Sequence, residues 1–125
     1  MRVLVAGGAG YIGTVLVKEL LDKGHSVDVI DLLWFGNCLP TNVKVIHKNI
    51  NELSITEIEV YDSVIYLGGL SNDPMANYDP YMNFVENVSV PIYLVYLAKE
   101  AGIKRFVFAS SCSVYGYTKN KTMDE

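Results

Sequence analysis

Arg2-Val3-Leu4-Val5-Ala6-Gly7-Gly8-Ala9-Gly10-Tyr11-Ile12-Gly13 is the stretch that decides the fold. Its opening is almost wholly apolar, which is how a strand covered on both faces reads, because neither face leaves room for polar alternation. Glycines stand at 7, 8, 10 and 13, and from Tyr11 to Lys23 the apolar residues Ile12, Val15, Leu16 and Leu20 recur at helical spacing. Gly24 then supplies the usual stop past a helix end. The order is therefore strand, glycine turn, helix.

The same alternation continues along the chain. Ser26 to Ile30 reads as a second strand ending at Asp31, Val43 to Ile46 as a third, Ser63 to Leu67 as a fourth and Arg105 to Ala109 as a fifth. Pro80 to Ala101 carries the long helical pattern, closed by Glu100-Ala101-Gly102, whereas Glu52 to Glu59 supports only a short turn. Strand alternating with helix implies parallel pairing through right-handed crossovers. The expected fold is α/β, a doubly wound parallel sheet of Rossmann type in the order 3-2-1-4-5, with its switch point between strands one and four. Pro91 conflicts with the helix around it, since it lacks an N–H and its ring crowds the preceding turn, so a bend is expected near Asn87.

Length and composition narrow the classes. The 125 residues suit one domain and no independent second one. Half of them are hydrophobic, 19% are charged and the net charge is −4, which excludes disorder and nucleic-acid binding through bulk charge. Cys38 and Cys112 form neither a disulfide framework nor a metal quartet, and His25 and His47 lack metal-ligand company and read as surface or strand-end residues. No metal site is expected. A reducing cytoplasm fits this cysteine usage, and charges interrupt every apolar window before it reaches membrane-spanning length.

The glycine turn carries the chemistry. Gly7, Gly10 and Gly13 fall in a Gly-x-x-Gly-x-x-Gly spacing at the first strand-to-helix turn, and backbone there can approach a pyrophosphate lying on the helix N-terminus formed by Tyr11 and Ile12. Asp31 follows Gly13 by eighteen residues at the end of the second strand. A carboxylate in that place accepts hydrogen bonds from an adenosine ribose and repels a 2′-phosphate. No Arg or Lys occurs in Leu32-Leu33-Trp34-Phe35-Gly36-Asn37, so the expected cofactor is NAD rather than NADP. Trp34 and Phe35 either pack on the adenine ring or shield the sheet.

With these residues in place, the sequence resembles the extended short-chain dehydrogenase/reductase superfamily, in particular its NAD-dependent nucleotide-sugar epimerases and dehydratases, from Met1 to about Gly116. Gly-Gly-Ala-Gly-Tyr-Ile-Gly is that family's form of the cofactor loop. Tyr66-Leu67-Gly68-Gly69 resembles the end of its fourth strand, usually His-Leu-Ala-Ala, and Asn87-Val88 resembles an Asn-Val whose amide reaches the cofactor region. Ser110-Ser111-Cys112-Ser113-Val114-Tyr115-Gly116 resembles its Ser-Ser-x-x-Val-Tyr-Gly signature. The resemblance implies that Ser111 is the active-site hydroxyl and that Leu67, Gly68, Gly69 and Asn87 border the cofactor. It also implies that Asn49-Ile50 lies beside the adenine, where the family usually has Asp-Ile. Lys48 replaces a glycine there, and glycines at 68 and 69 in place of two alanines are expected to loosen that wall.

The family's chemistry is hydride transfer at a sugar carbon, assisted by a tyrosine with a lysine four residues later. Tyr115 with Lys119 and Tyr117 with Lys121 have that spacing, but Tyr115 belongs to the Val-Tyr-Gly turn and the polar run to Lys121 makes a poor helix. In the family the pair comes on a following helix, after a segment resembling Thr122-Met123-Asp124-Glu125. The chain is thus expected to be the N-terminal portion of an NAD-binding domain, inactive alone and incomplete relative to the family. Later strands and the substrate domain would be absent. A nucleotide sugar would be the substrate of the intact protein. Ser71-Asn72-Asp73-Pro74 would form a loop at the pocket mouth, and Cys112 reads as a small packed side chain because no histidine or lysine stands ready to stabilise its thiolate. Two other readings stay open, a dinucleotide sensor without hydride transfer and an interaction module. The second draws on the nine tyrosines and on a fifth strand left as a sheet edge, through which copies could associate into a homo-oligomer.

Overall fold

A computed structural model of the chain describes residues 1–70 and 73–111. Five strands, β1 (Arg2–Ala6), β2 (Ser26–Asp31), β3 (Lys44–His47), β4 (Ser63–Tyr66) and β5 (Arg105–Phe108), form one parallel sheet in the order β3-β2-β1-β4-β5. The predicted order and switch point are therefore present. Strand ends differ from the sequence reading by one residue, with β3 starting and ending later, and β4 and β5 stopping at Tyr66 and Phe108.

Alternation along β1 explains the layering. Val3 and Val5 face one side, where they meet Val17 of α1 (Tyr11–Asp22) together with Val27, Val29 and Val43. Leu4 and Ala6 face the other side, with Ile30, Val64, Tyr66, Ile58 of α2 (Ile55–Ile58) and, from the helix before β5, Leu94 and Leu97. Both faces of the central strand are dry, so the absence of polar alternation in its sequence follows directly. At the end of the sheet remote from the glycine turn, buried Asp28 accepts from Arg2 Nη2 at 3.0 Å and from the Tyr61 hydroxyl at 2.8 Å, which ties β1, β2 and the approach to β4 together.

The helical segments are more divided than the sequence suggests. The stretch from Glu52 to Glu59 resolves into a 3₁₀ turn (Ile50–Glu52) and α2, whose start carries a capping box between Ser54 and Glu57. Asp73-Pro74 opens a short helix, α3 (Asp73–Tyr78), where a loop was expected, a proline in the first turn being compatible with a helix start; Ser71 and Asn72 of that loop lie outside the described residues. Beyond it α4 (Pro80–Phe84), a π-turn (Val85–Ser89) and α5 (Val90–Glu100) follow one another without a break, so the long helical stretch is present with a π-turn inside it. The π-turn includes Asn87, where Pro91 was expected to disturb the helix. Widening to five-residue hydrogen bonds is one way a helix accommodates a missing donor.

Candidate functional site

The carboxyl ends of β1, β2 and β4 and the loops after them border a single cleft. Gly7, Gly10, Asp31, Asn49, Ile50, Leu67, Gly68 and Gly69 all line it, so eight residues singled out in the sequence come together. Trp34, Phe35, Lys48, Tyr66 and Glu86 line it as well. Tyr11, Ile12 and Gly13 are not in its wall: the first two start α1 with exposed side chains, and only their backbone faces the task assigned to them.

Each glycine of the turn has a distinct reason. Gly7 adopts a φ of +78°, and a Cβ there would lie 2.5 Å from the Gly68 nitrogen, so the turn after β1 presses on the turn after β4. A Cβ on Gly13 would collide with the Gly8 backbone, which fixes how closely α1 packs on the turn. Gly10 is different. Its φ of −77° and ψ of −176° suit any residue, and a Cβ would meet nothing nearer than the Gly7 carbonyl at 3.6 Å. Among the described residues nothing excludes a side chain at 10, which borders the cleft, so the space beside it is open to a ligand. Gly10 is also the N-cap of α1 without a side-chain hydrogen bond to the helix start, leaving that end electropositive toward the cleft.

Asp31 closes the turn from the other side. Its Oδ2 accepts from the Ala9 N–H at 2.9 Å and its Oδ1 from the Leu33 N–H at 2.8 Å, so one carboxylate braces the glycine turn against the loop after β2. Each oxygen keeps a lone pair for a further donor. In that loop the Gly36 N–H donates to the Leu33 carbonyl, and Leu33 itself has a φ of +57°. The resulting tight turn leaves Trp34 and Phe35 exposed, the latter 90%, at the mouth of the cleft. They do not shield the sheet. His47 ends β3 as expected, exposed, and its Nε2 donates to the Leu32 carbonyl at 3.1 Å; His25 is half-buried.

Asn49 caps the 3₁₀ turn, its Oδ1 accepting from the Asn51 N–H at 3.0 Å, which leaves its amide hydrogens for a partner in the cleft. Lys48 beside it is paired with Glu57 at 2.9 Å. That lysine, together with two N–H and O–H donors from Ser54, holds the Glu57 carboxyl well below the usual carboxylate range, at about 2.

On the β4 side, Gly68 and Gly69 do not form the loosened wall that the sequence suggests. A Cβ on Gly68 would press at 3.3 Å on the Tyr66 ring and hydroxyl, so glycine at 68 makes room for the tyrosine at 66. Gly69 has a φ of +119°, and a Cβ there would strike the Asn87 amide. That amide holds the next residue from both sides: Oδ1 accepts from the Leu70 N–H at 2.8 Å and Nδ2 donates to the Leu70 carbonyl at 2.9 Å. Asn87 does not line the cleft; it positions the loop that does. Tyr66 is buried, stacks on Phe108 at 5.7 Å between centroids, and donates to the Glu86 carbonyl at 2.9 Å. Burial, with a smaller contribution from the Glu86 charge, pushes its hydroxyl well above the ordinary phenol range, so it stays a donor.

Ser111 follows β5 and is exposed. Cys112, Tyr115, Tyr117, Lys119 and Lys121 lie outside the described residues. Among the described residues no cluster of His, Cys, Asp or Glu could hold a metal, and no helix is long and apolar enough to cross a membrane. Sequence reasoning missed Glu86 and the hydroxyl of Tyr66. A proline inside a helical pattern was the available signal, since the carbonyl it orphans must find another donor.

A glycine turn opening a helix at the switch point of a parallel sheet, with a carboxylate at the end of the neighbouring strand, defines a dinucleotide-binding α/β protein. The chain belongs to the NAD dependent epimerase/dehydratase family, whose model matches residues 3–125. It is 34% identical to a UDP-glucose 4-epimerase of Klebsiella pneumoniae over 93% of both chains, and 33% identical to that of Lactobacillus helveticus over 100% of this chain and 40% of the relative. Among solved structures, a UDP-glucose 4-epimerase of Thermus thermophilus in complex with NAD superposes with a TM-score of 0.88 at 28% identity, covering 100% of this chain and 42% of that one. One from Stenotrophomonas maltophila with bound NAD and a formylated UDP-arabinopyranose gives 0.87 at 28% identity, over 96% and 40%. The chain spans about 40% of the length of most of these relatives.

Proposed function

We propose that this chain is the NAD-binding part of a nucleotide-sugar epimerase or dehydratase, and that its cleft holds the dinucleotide across the switch point. The observation that carries the reading is Gly10: among the described residues nothing fills the space beside it, at an uncapped helix N-terminus that favours a pyrophosphate. Asp31, already braced by two backbone donors, would accept the ribose hydroxyls with its remaining lone pairs and repel a 2′-phosphate. Asn49 and Ile50 would flank the adenine, and Leu67 to Gly69 the other half of the cofactor. When bound, NAD supplies a reversible hydride acceptor for a sugar carbon. The Ser111 hydroxyl, able to donate and to accept, would hold the reacting sugar oxygen in the whole protein. The remaining proton-transfer groups would come from residues outside those described.

Calorimetric titration with NAD and NADP, on wild type and Asp31→Ala, tests the reading. Tighter binding of NAD, with the preference reduced in the variant, is the expected result. Absence of binding by either cofactor would overturn it.

A further inference from the structure

Two carboxylates border the cleft, and they are held in opposite ways. Asp31 is braced by two backbone N–H groups. The side chain of Glu86, half-buried on the π-turn, makes no hydrogen bond or ion pair with any described residue. Burial raises its carboxyl above the usual range, and among the described residues no basic group offsets it. A carboxylate that loses part of its hydration without gaining a partner is a cost the fold does not recover internally.

Its place in the topology suggests what the charge meets. The Glu86 carbonyl accepts from the Tyr66 hydroxyl, which packs beneath Gly68, so residue 86 borders the cleft on the β4 side of the switch point. Asp31 stands on the β2 side. A dinucleotide whose adenosine ribose meets Asp31 extends its nicotinamide half across the switch point toward β4. Among the described residues the polar groups beside it are neutral: the Tyr66 phenol, donating to a carbonyl, and the amides of Asn83 and Asn87, bonded to each other at 2.6 Å. Lys48, the cation that lines the cleft, is engaged by Glu57.

We propose that Glu86 sets the redox preference of the cofactor site, its carboxylate favouring the cationic oxidised nicotinamide over the neutral reduced one. The inference rests on the dinucleotide reading above. Both redox forms carry the same pyrophosphate, so its repulsion by Glu86 cancels in the ratio of their affinities, and the nicotinamide charge is isolated. A site with this bias holds its cofactor ready to accept hydride.

The test is the ratio of dissociation constants for NADH and NAD, measured by titration calorimetry at about pH 8, on the alkaline side of the ordinary carboxylate range. Glu86→Gln keeps the shape and removes the charge, and because the side chain bonds to nothing described, folding is not at stake. The expected outcome is a fall in the NAD preference on the order of fivefold, the scale of one partly screened charge pair. An unchanged ratio with both forms still binding would overturn the role of Glu86 while leaving the dinucleotide reading intact. No binding of either form to the wild type would overturn both.

Discussion

Replacing Tyr66 by phenylalanine removes a single oxygen from the wall of the cleft, and the structure says what that oxygen is for. In the π-turn the Val90 N–H reaches back five residues to the Val85 carbonyl. The next donor in that register would be residue 91, aimed at the Glu86 carbonyl, and Pro91 has no N–H. The Tyr66 hydroxyl donates to that carbonyl at 2.9 Å. Tyr66 is 2% exposed, so solvent does not replace the lost donor. Phenylalanine keeps the ring and its stack on Phe108, leaving an orphaned acceptor that costs about 1–3 kcal/mol. Urea unfolding followed by circular dichroism measures this directly, with the midpoint shifted and the slope unchanged. Pro91→Ala supplies the missing donor, so in that background Tyr66→Phe is expected to cost less than about 0.5 kcal/mol, giving a coupling energy of about 1–2 kcal/mol. Equal costs in both backgrounds would refute the link between the hydroxyl and the proline.

The glycine turn separates stability from binding. Gly10→Ala is expected to leave the unfolding midpoint within about 0.5 kcal/mol of wild type, because its backbone angles and surroundings accept a Cβ, while weakening NAD binding by about tenfold or more. Gly13→Ala is expected to do the reverse in the unfolding assay, destabilising by about 1–3 kcal/mol as its Cβ meets the Gly8 backbone; wild-type stability there would refute the packing argument. Glu57 gives a pH signature. Its folded-state carboxyl is lowered to about 2 by Lys48 and Ser54, so its contribution is present above the ordinary carboxylate range and lost as pH falls from there toward 2. The pair is largely exposed, so no more than about 1 kcal/mol is expected to disappear over that window, and Glu57→Gln should flatten it in acid-unfolding curves.

Those elements whose cause is local were legible in the sequence. Continuous Val and Ile runs mark the strands of a doubly covered sheet, and β1, β2 and β4 were readable to within a residue. Helical spacing found α1, and strand-helix alternation fixed the order of the sheet. Residues brought to the cleft by strand ends, such as Gly7, Asp31 and Asn49, were readable because strand ends in this topology converge by construction. What pattern could not supply was the contact between segments. The family resemblance implies that the Asn87 amide reaches the cofactor region, and what only the fold shows is that this amide is bonded to the Leu70 backbone. Pro91 signalled a disturbance of the long helix near Asn87, but not a π-turn there, nor that it would bring Glu86 to the cleft wall.

The β4 side of the cleft shows why such departures cannot be judged singly. Taken position by position, tyrosine for histidine at 66 and glycine for alanine at 68 are two weakenings of a wall that the family builds differently. In the fold they are one accommodation, since the smaller residue at 68 is what admits the larger one at 66. The hydroxyl so admitted reaches the carbonyl that Pro91 leaves without a donor, and the π-turn that tolerates the proline also carries Asn87, which fixes Leu70, and Glu86, which brings charge to the cleft. Local irregularity in the helix is thus converted into position for the loop after β4. A helix without the proline would need neither the tyrosine nor the glycine, and would have no reason to present a carboxylate at residue 86.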